Sequence, residues 1–356
     1  MKRKNLIVKR KVDKHKLLKN NLKINKIYKK FKTIISKNIG KDSFALGVSG
    51  GADSLCLVNF SKQYVSEFKN KMHILIVNHN LRKESSKEAS KVKKILKTKK
   101  IKSKILHWKG KKPKQNIQSN ARNIRYSLIA EYCRKKNIKY LITAHHADDQ
   151  IENFFIRLFR GSGLNGLSSM SERVNYSNTL KIIRPFLNIK KVNLKFVTLS
   201  YFKTYIDDPS NQDEKFLRVR IRKYRKSMET EGLNTRNIIK TINNLLSANK
   251  SLNHYKNKAL YKHVSFISKN KCLINQQIFL EESQEIIFRC FSDILSLVAN
   301  KYYPPRSKKI MNLINCIQKT KYHKSTLGGC IIEKKDNFLT ISKELKVQKS
   351  TYLSMK

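Results

Sequence analysis

Acidic residues are scarce. The 356-residue chain holds 24 Asp or Glu against 78 Lys or Arg, a formal net charge of +54. Such a balance favours a polyanionic partner, nucleic acid first, because neutralising phosphates releases counterions. The chain is also rich in Lys, Ile and Asn together, so roughly half of the Lys excess is ascribed to coding drift rather than to an electrostatic footprint. Paired cysteines are missing too. Cys56, Cys133, Cys272, Cys290, Cys316 and Cys330 are scattered with no CxxC pair and no His in zinc-ligand spacing, which points to reduced thiols in a cytoplasmic protein rather than a disulfide framework or a zinc site. No run of about 18 apolar residues suggests a membrane span. The basic N-terminus lacks the apolar h-region and small-residue cleavage site of a secretory signal. Hydrophobic residues nevertheless make up 40% of the chain, enough for a sizeable core and too many for a disordered polycation. Two domains are the default for this length.

Residues 1–40 carry fifteen Lys or Arg and one Asp. They read as a basic leader, with apolar residues at helical spacing over 24–38 starting a first helix. From Ser43 the pattern alternates. Short apolar runs at 43–48, 73–79, 105–108 and 140–146 predict strands, with helices predicted over 53–68, 84–98, 117–137 and 148–160. A loop or hairpin over 171–180, a Pro-anchored turn after 182–187, a helix around 190–203 and a short strand at Tyr205–Asp208 complete this region. The expected fold class is α/β: a Rossmann-like parallel sheet with helices on both faces. The alternation ends near 225. Residues 41–225 are thus expected to form one domain. Residues 226–356 are expected to form a smaller, mainly helical C-terminal domain ending in a β-hairpin over 327–333 and 337–344.

Two motifs carry chemistry. Ser49-Gly50-Gly51-Ala52-Asp53-Ser54 follows the first apolar strand and opens a helix. Glycines let backbone amides approach phosphate oxygens, and the helix N-terminus adds partial positive charge. The competing reading is a plain βα turn in which Ser49 or Asp53 caps the helix. The segment is neither G-x-x-x-x-G-K-[ST] nor G-x-G-x-x-G; it resembles the PP-loop of ATP pyrophosphatases. The second motif, Ala144-His145-His146-Ala147-Asp148-Asp149-Gln150-Ile151-Glu152, ends the fourth strand and enters a helix. In a parallel sheet that end is where ligands bind. Asp149 and Glu152 are three apart and share a helix face, with His145 four before Asp149. With Asp53 they make an acidic pocket suited to Mg2+ or to an ammonium-bearing substrate. Capping of the helix by Asp148 and Asp149 is the competing reading. Arg122 and Arg125, three apart on a helix, can reach a phosphate, and Arg160-Gly161-Ser162-Gly163 gives an anion-friendly turn or a C-cap.

In combination, SGGADS (49–54), NHNLR (78–82), SNARNIRY (119–126), TAHHADDQIEN (143–153), RGSGLNGL (160–167), IRPFL (183–187), DPSNQD (208–213) and LRVRIR (217–222) resemble the tRNA(Ile)-lysidine synthetases. The likeness spans about 44–225; YPPR (303–306) and TLGGC (326–330) add to it less diagnostically. It implies a cytoplasmic, ATP-dependent carbon–nitrogen ligase that adenylylates the C2 oxygen of the wobble cytosine in isoleucine tRNA with a CAU anticodon. The ε-amine of free L-lysine then displaces AMP to give lysidine, so that the tRNA reads AUA. The resemblance assigns Ser49, Gly50, Gly51, Ala52, Asp53 and Ser54, with Arg122, to ATP. It assigns Asp53, Asp149 and Glu152 to Mg2+ or the lysine ammonium, the metal falling on Asp53 and Asp149. His145 and an arginine of the ARNIRY segment are assigned to cytosine activation, Arg125 preferred over Arg122. It also suggests a homodimer and a tRNA-binding C-terminal domain. Asn153 and Val219 stand where the family commonly has Thr and Asn, and neither touches an assigned role. Another PP-loop tRNA enzyme, a cytidine 2-thiolase, is the alternative, disfavoured because no CxxC pair is present. NAD synthetase-type chemistry is disfavoured by the charge and the basic 215–226 segment. A non-catalytic RNA-binding module is disfavoured by the intact Asp53, His145, Asp149 and Glu152.

Overall fold

The computed structural model describes residues 21–81, 84–110, 117–207, 213–301, 303–319 and 322–344. Residues 1–20 of the basic leader, Arg82 and most of the DPSNQD segment lie outside them. The chain folds as two compact units, one reaching to Leu246 and the other starting at Ser247.

The first unit opens with α1 (Leu22–Ile39). Asn21 caps it, its side-chain oxygen accepting from the Lys23 and Ile24 amides at 3.1 and 3.2 Å. Ile24, Ile27, Tyr28, Phe31 and Ile35 recur at helical spacing and are buried. The elements β1 (Phe44–Gly47), α2 (Ala52–Phe68), β2 (Met72–Asn78), α3 (Ser85–Lys97), β3 (Lys104–His107), α4 (Ile117–Lys135), β4 (Tyr140–Ile142) and α5 (Ala147–Leu158) then alternate as the apolar runs predict. A short α6 (Leu164–Leu167), β5 (Arg173–Asn175), β6 (Lys181–Ile183) and α7 (Lys191–Phe202) follow. The sheet order is β3-β2-β1-β4-β6-β5, parallel except for the β5–β6 pair.

Strand residues alternate between two cores, as the period of 2 requires. Phe44, Leu46, Ile74, Ile76, Ile142 and Ile183 face the cluster built with α1, α2, α3 and α7. Ala45, Leu75, Leu141 and Ile182 face Tyr126, Ile129 and Cys133 of α4. Both faces are therefore covered, and the strands read as continuous apolar runs for that reason. Phe31 is fully buried, its ring centroid 5.7 Å from Phe60 and 5.8 Å from Phe186. Phe31→Ala is expected to remove about 3–5 kcal/mol of unfolding free energy, read as a lower urea midpoint. A loss below about 1 kcal/mol would mean that α1 unfolds apart from the sheet.

The strand expected at Tyr205–Asp208 does not form over Tyr205–Asp207. Ile206 donates its amide to Gly50 O at 2.9 Å instead, bracing the glycine turn. The sheet edge comes from β5, which pairs antiparallel with β6 out of the expected 171–180 hairpin.

The first unit closes with α8 (Leu217–Thr230) and the first part of α9 (Thr235–His263). Ile151 of α5 packs with Ile238 and Ile242 of α9. This packing keeps residues past 225 with the sheet, and the two compact units divide inside α9, after Leu246.

The second unit contains the rest of α9, β7 (Val264–Ser268), β8 (Lys271–Asn275), α10 (Ile278–Glu281), α11 (Gln284–Val298), α12 (Ser307–Ile317), β9 (Lys324–Leu327), β10 (Cys330–Lys335) and β11 (Phe338–Lys343). The expected hairpin is β10–β11, with Lys335 opposite Phe338. It belongs to a five-stranded antiparallel sheet, β7-β8-β11-β10-β9, packed on α11 and α12. The unit thus joins its helices to a sheet of which the expected hairpin is one part. No helix among the described residues is long and apolar enough to cross a membrane.

Candidate active site

β1 pairs with β4 in parallel, Phe44 opposite Tyr140 and Leu46 opposite Ile142. The glycine turn after β1 and the His-His turn after β4 therefore leave the sheet side by side, at the edge where α/β sheets bind ligands. Residues from both line one cleft of about 540 Å3.

The glycine turn is built as an anion cradle. Gly50 has φ +87°, and a Cβ there would lie 2.5 Å from Val92 Cγ2 and 3.2 Å from Ile206 Cδ1. Only glycine fits both the backbone and the space. The Gly50 amide donates to Ser54 Oγ at 3.1 Å, and Ser54 Oγ donates to Gly51 O at 2.9 Å. Thr198 Oγ1 of α7 donates to Ala52 O at 2.5 Å. The turn is thus held from three sides, and the N-terminus of α2 opens onto the cleft.

His146 joins the two turns. It is the N-cap of α5: its Nδ1 accepts from the Asp149 amide at 3.3 Å, and Asp149 Oδ2 accepts from the His146 amide at 3.1 Å. Its Nε2 lies 3.4 Å from Asp53 Oδ2 and 3.5 Å from Asp149 Oδ2. Burial alone would lower its pKa, but the Asp53 hydrogen bond and the charges of Asp149, Asp53 and Asp148 outweigh burial and raise it. Asp53 Oδ1 is buried with no hydrogen-bond partner among the described residues.

His145 has the opposite environment. Its Nδ1 is 2.9 Å from Thr143 Oγ1. Burial, then the positive charges of Arg122, Arg184 and Arg218, push its pKa well below the usual histidine value. It is a neutral imidazole at neutral pH. Arg122, Arg125, Arg218 and Arg222 line the same cleft, and Arg122 stacks over the Tyr126 ring at 5.0 Å.

Glu152 does not join the acidic pair. It is 1% exposed, and Arg222 of α8 grips it, Nε to Oε1 at 2.5 Å and Nη2 to Oε2 at 3.1 Å. The next turn of α8 repeats the device: Arg225 donates to Asp148 Oδ1 at 2.6 Å. Gln150, from the same helix as Glu152, donates to Met170 O at 2.7 Å and accepts from the Met170 amide at 2.8 Å.

The chain matches the PP-loop domain family over residues 20–226. It is 36% identical over 312 residues to the tRNA(Ile)-lysidine synthase of Orientia tsutsugamushi (strain Boryong), covering 84% of this chain and 69% of that protein. It is 37% identical to the synthase of the same name from Wolbachia pipientis wMel, covering 86% and 72%. The chain belongs to the tRNA(Ile)-lysidine synthases. It is thus an ATP-dependent ligase built on a PP-loop domain. A solved structure of the U34-tRNA thiolase from Methanococcus maripaludis shares the fold, with a TM-score of 0.55 at 18% identity over 63% of this chain and 79% of that one.

The structure brings Ser49, Gly51, Ala52, Asp53, Ser54, Arg122, Arg125, His145 and Asp149 to one cleft. Gly50 shapes the turn beneath it, and Glu152 stands behind Arg222. The cleft also takes in residues to which the motifs assigned no role: Arg218 and Arg222 from α8, and Lys191 and Lys195 from α7. Their basic type carried no signal in a chain of +54. Glu152 gave a helical spacing but no hint that its partner lay seventy residues on. Of the cysteines, only Cys316 is exposed. Among the described residues no group of three or more His, Cys, Asp or Glu is arranged to hold a metal.

Proposed function

We propose that this chain converts the wobble cytidine of isoleucine tRNA with a CAU anticodon to lysidine, using ATP and free L-lysine in the cytoplasm. The observation that carries this reading is the meeting, in one cleft, of the phosphate cradle, the Asp53–His146–Asp149 cluster and a neutral His145. In the first step the cytidine C2 oxygen attacks the α-phosphorus of ATP, and pyrophosphate leaves. The α2 N-terminus and the hydroxyls of Ser49 and Ser54 hold the phosphates, while Arg122, Arg125 and Arg218 balance the charge that grows in the transition state. Neutral His145 is the polar group set to hydrogen-bond the base without adding charge. In the second step the lysine ε-amine attacks C2, the C2–O bond breaks and AMP departs. That amine must first lose a proton, and Asp149 is the carboxylate placed to hold the ammonium and receive it.

The donor set fits Mg2+. An orphaned, buried Asp53 Oδ1 beside Asp149 supplies one or two carboxylate oxygens, and this ion otherwise takes water and substrate phosphate rather than an all-protein cage. When bound there it would neutralise phosphate charge. The lack of any CxxC pair in the sequence disfavours the thiolase reading. The second unit is read as a tRNA-binding domain, and a homodimer as the working assembly.

Purified chain is expected to incorporate labelled lysine into CAU-anticodon isoleucine tRNA with release of AMP and pyrophosphate; no incorporation into the correct tRNA would sink the reading. Asp149→Asn is expected to cut lysine transfer by about 100-fold or more while tRNA binding persists. Equal loss of binding would make Asp149 a structural residue.

A further inference from the structure

The second unit contains a helix face that the proposed chemistry does not use. Over Ser247–His263, α9 buries one side: Ala259 is inaccessible and joins the core, with Leu252 and Leu260 packed against it. The opposite side is bare. Tyr255 is 57% exposed and Tyr261 93% exposed. At about 100° per residue, Tyr255 lies on one margin of an arc of roughly 120°, His254 and Tyr261 on the other, and Lys258 and Lys262 between them. Lys258 Nζ sits 5.9 Å from the Tyr255 ring centroid, and the His254 ring packs edge-on to Tyr255 at 5.6 Å. Lys262 is ion-paired to Glu281 and Lys256 to Asp293. From Ser247 to Leu280 the chain carries six Lys and no Asp or Glu.

A purely solvated helix face needs no large rings. A face for duplex phosphates needs lysines alone, because phosphate contacts are ionic and carry no stacking. Tyrosines flanking a lysine line match the surface that unpaired nucleotides use: rings receive the bases and ammonium groups track the backbone. Lys258, with no ion pair among the described residues, supplies the matching charge, while Lys262 is shared with Glu281. We propose that the Tyr255–Lys258–Tyr261 face of α9 is a stacking platform for unpaired nucleotides of the tRNA substrate. The proposal rests on the tRNA reading above and adds a second contact, outside the catalytic cleft.

The test measures binding of CAU-anticodon isoleucine tRNA to the full chain across a salt series. Tyr255→Ala with Tyr261→Ala is expected to weaken binding roughly tenfold or more while leaving the slope of log affinity against log salt unchanged. Tyr255→Phe with Tyr261→Phe is expected to bind as the parent does. Lys258→Gln is expected to lower the slope by about one. Tyr261→Trp should retain affinity and show quenched emission on binding. Parent-like binding by the alanine pair overturns the platform. So does an equal loss in the phenylalanine pair, which would make the hydroxyls the contact. A change from dimer to monomer in sedimentation with unaltered tRNA affinity also overturns it, giving the face to a second copy. Lysine incorporation by the parent separates the two readings: an active parent with unaffected tyrosine variants removes only the platform.

Discussion

Gly50→Ala should abolish ATP-dependent turnover far more thoroughly than Gly51→Ala. At residue 50 the backbone has φ +87° and an added Cβ meets Val92 and Ile206. A non-glycine residue held there costs about 1–3 kcal/mol of backbone strain, and the turn must shift to relieve the contact. The Gly50 amide and carbonyl are both engaged, with Ser54 and Ile206, so a shift moves the whole cradle. A displacement near 1 Å is enough to cost about 100-fold in rate. Gly51 has an ordinary φ of −67°, and its Cβ would find nothing nearer than Ser49 Oγ at 3.7 Å. Pyrophosphate release from the two variants gives the comparison. Both should retain a cooperative unfolding transition, Gly50→Ala at a lower midpoint. Equal loss of activity would mean that space for the nucleotide, not the shape of the turn, governs both positions.

The second large effect concerns Arg222. Arg222→Met leaves Glu152, 1% exposed, as a buried carboxylate without its partner. Breaking such a pair from one side costs about 3–5 kcal/mol. Removing both charges together, as in Glu152→Leu with Arg222→Met, should restore most of that stability because an apolar pair of similar volume replaces the ions. Activity should not return with it, since Arg222 also lines the cleft. Urea unfolding of the four species of this cycle, beside lysine incorporation, separates the two roles. If the double variant were as unstable as the single one, Glu152 would be held by more than Arg222. The neighbouring Asp148–Arg225 pair adds a pH signature. Burial opposes the charged form of Asp148, but the Lys191 amide and Arg225 prevail and hold its pKa below the ordinary carboxylate value. A carboxylate depressed in the folded state stabilises the fold fully above its unfolded pKa, about 3.9. That contribution is lost as pH falls through the folded value. The α5–α8 contact should therefore loosen only in strong acid.

Much of the site was legible because its signals are local. A glycine pair after a buried strand, and acids three apart at a helix start, are read from a few consecutive residues. The parallel sheet then brings the two turns together, since β1 and β4 are neighbours. What escaped depends on distant partners. Tyr205–Asp207 has the look of a strand, but the Ile206 amide serves the glycine turn. β7 and β8 are short apolar runs after a long helix; they pair with each other, but the strand that ties them into the sheet, β11, comes more than sixty residues later. Glu152 has the right helical phase for the acidic pair, yet an arginine on a later helix takes both of its oxygens. Arg218 and Arg222 were hidden by the abundance of their own kind.

The His146 cap ties two parts of the site together. One ring nitrogen starts α5 and the other meets the carboxylates beside it. A mutation that satisfied only the helix, as an asparagine can at an N-cap, would forfeit the contact with Asp53. One that kept only a charge near Asp53 would fray the helix carrying Asp149. Two independent requirements are thus met at this position by a single side chain at once.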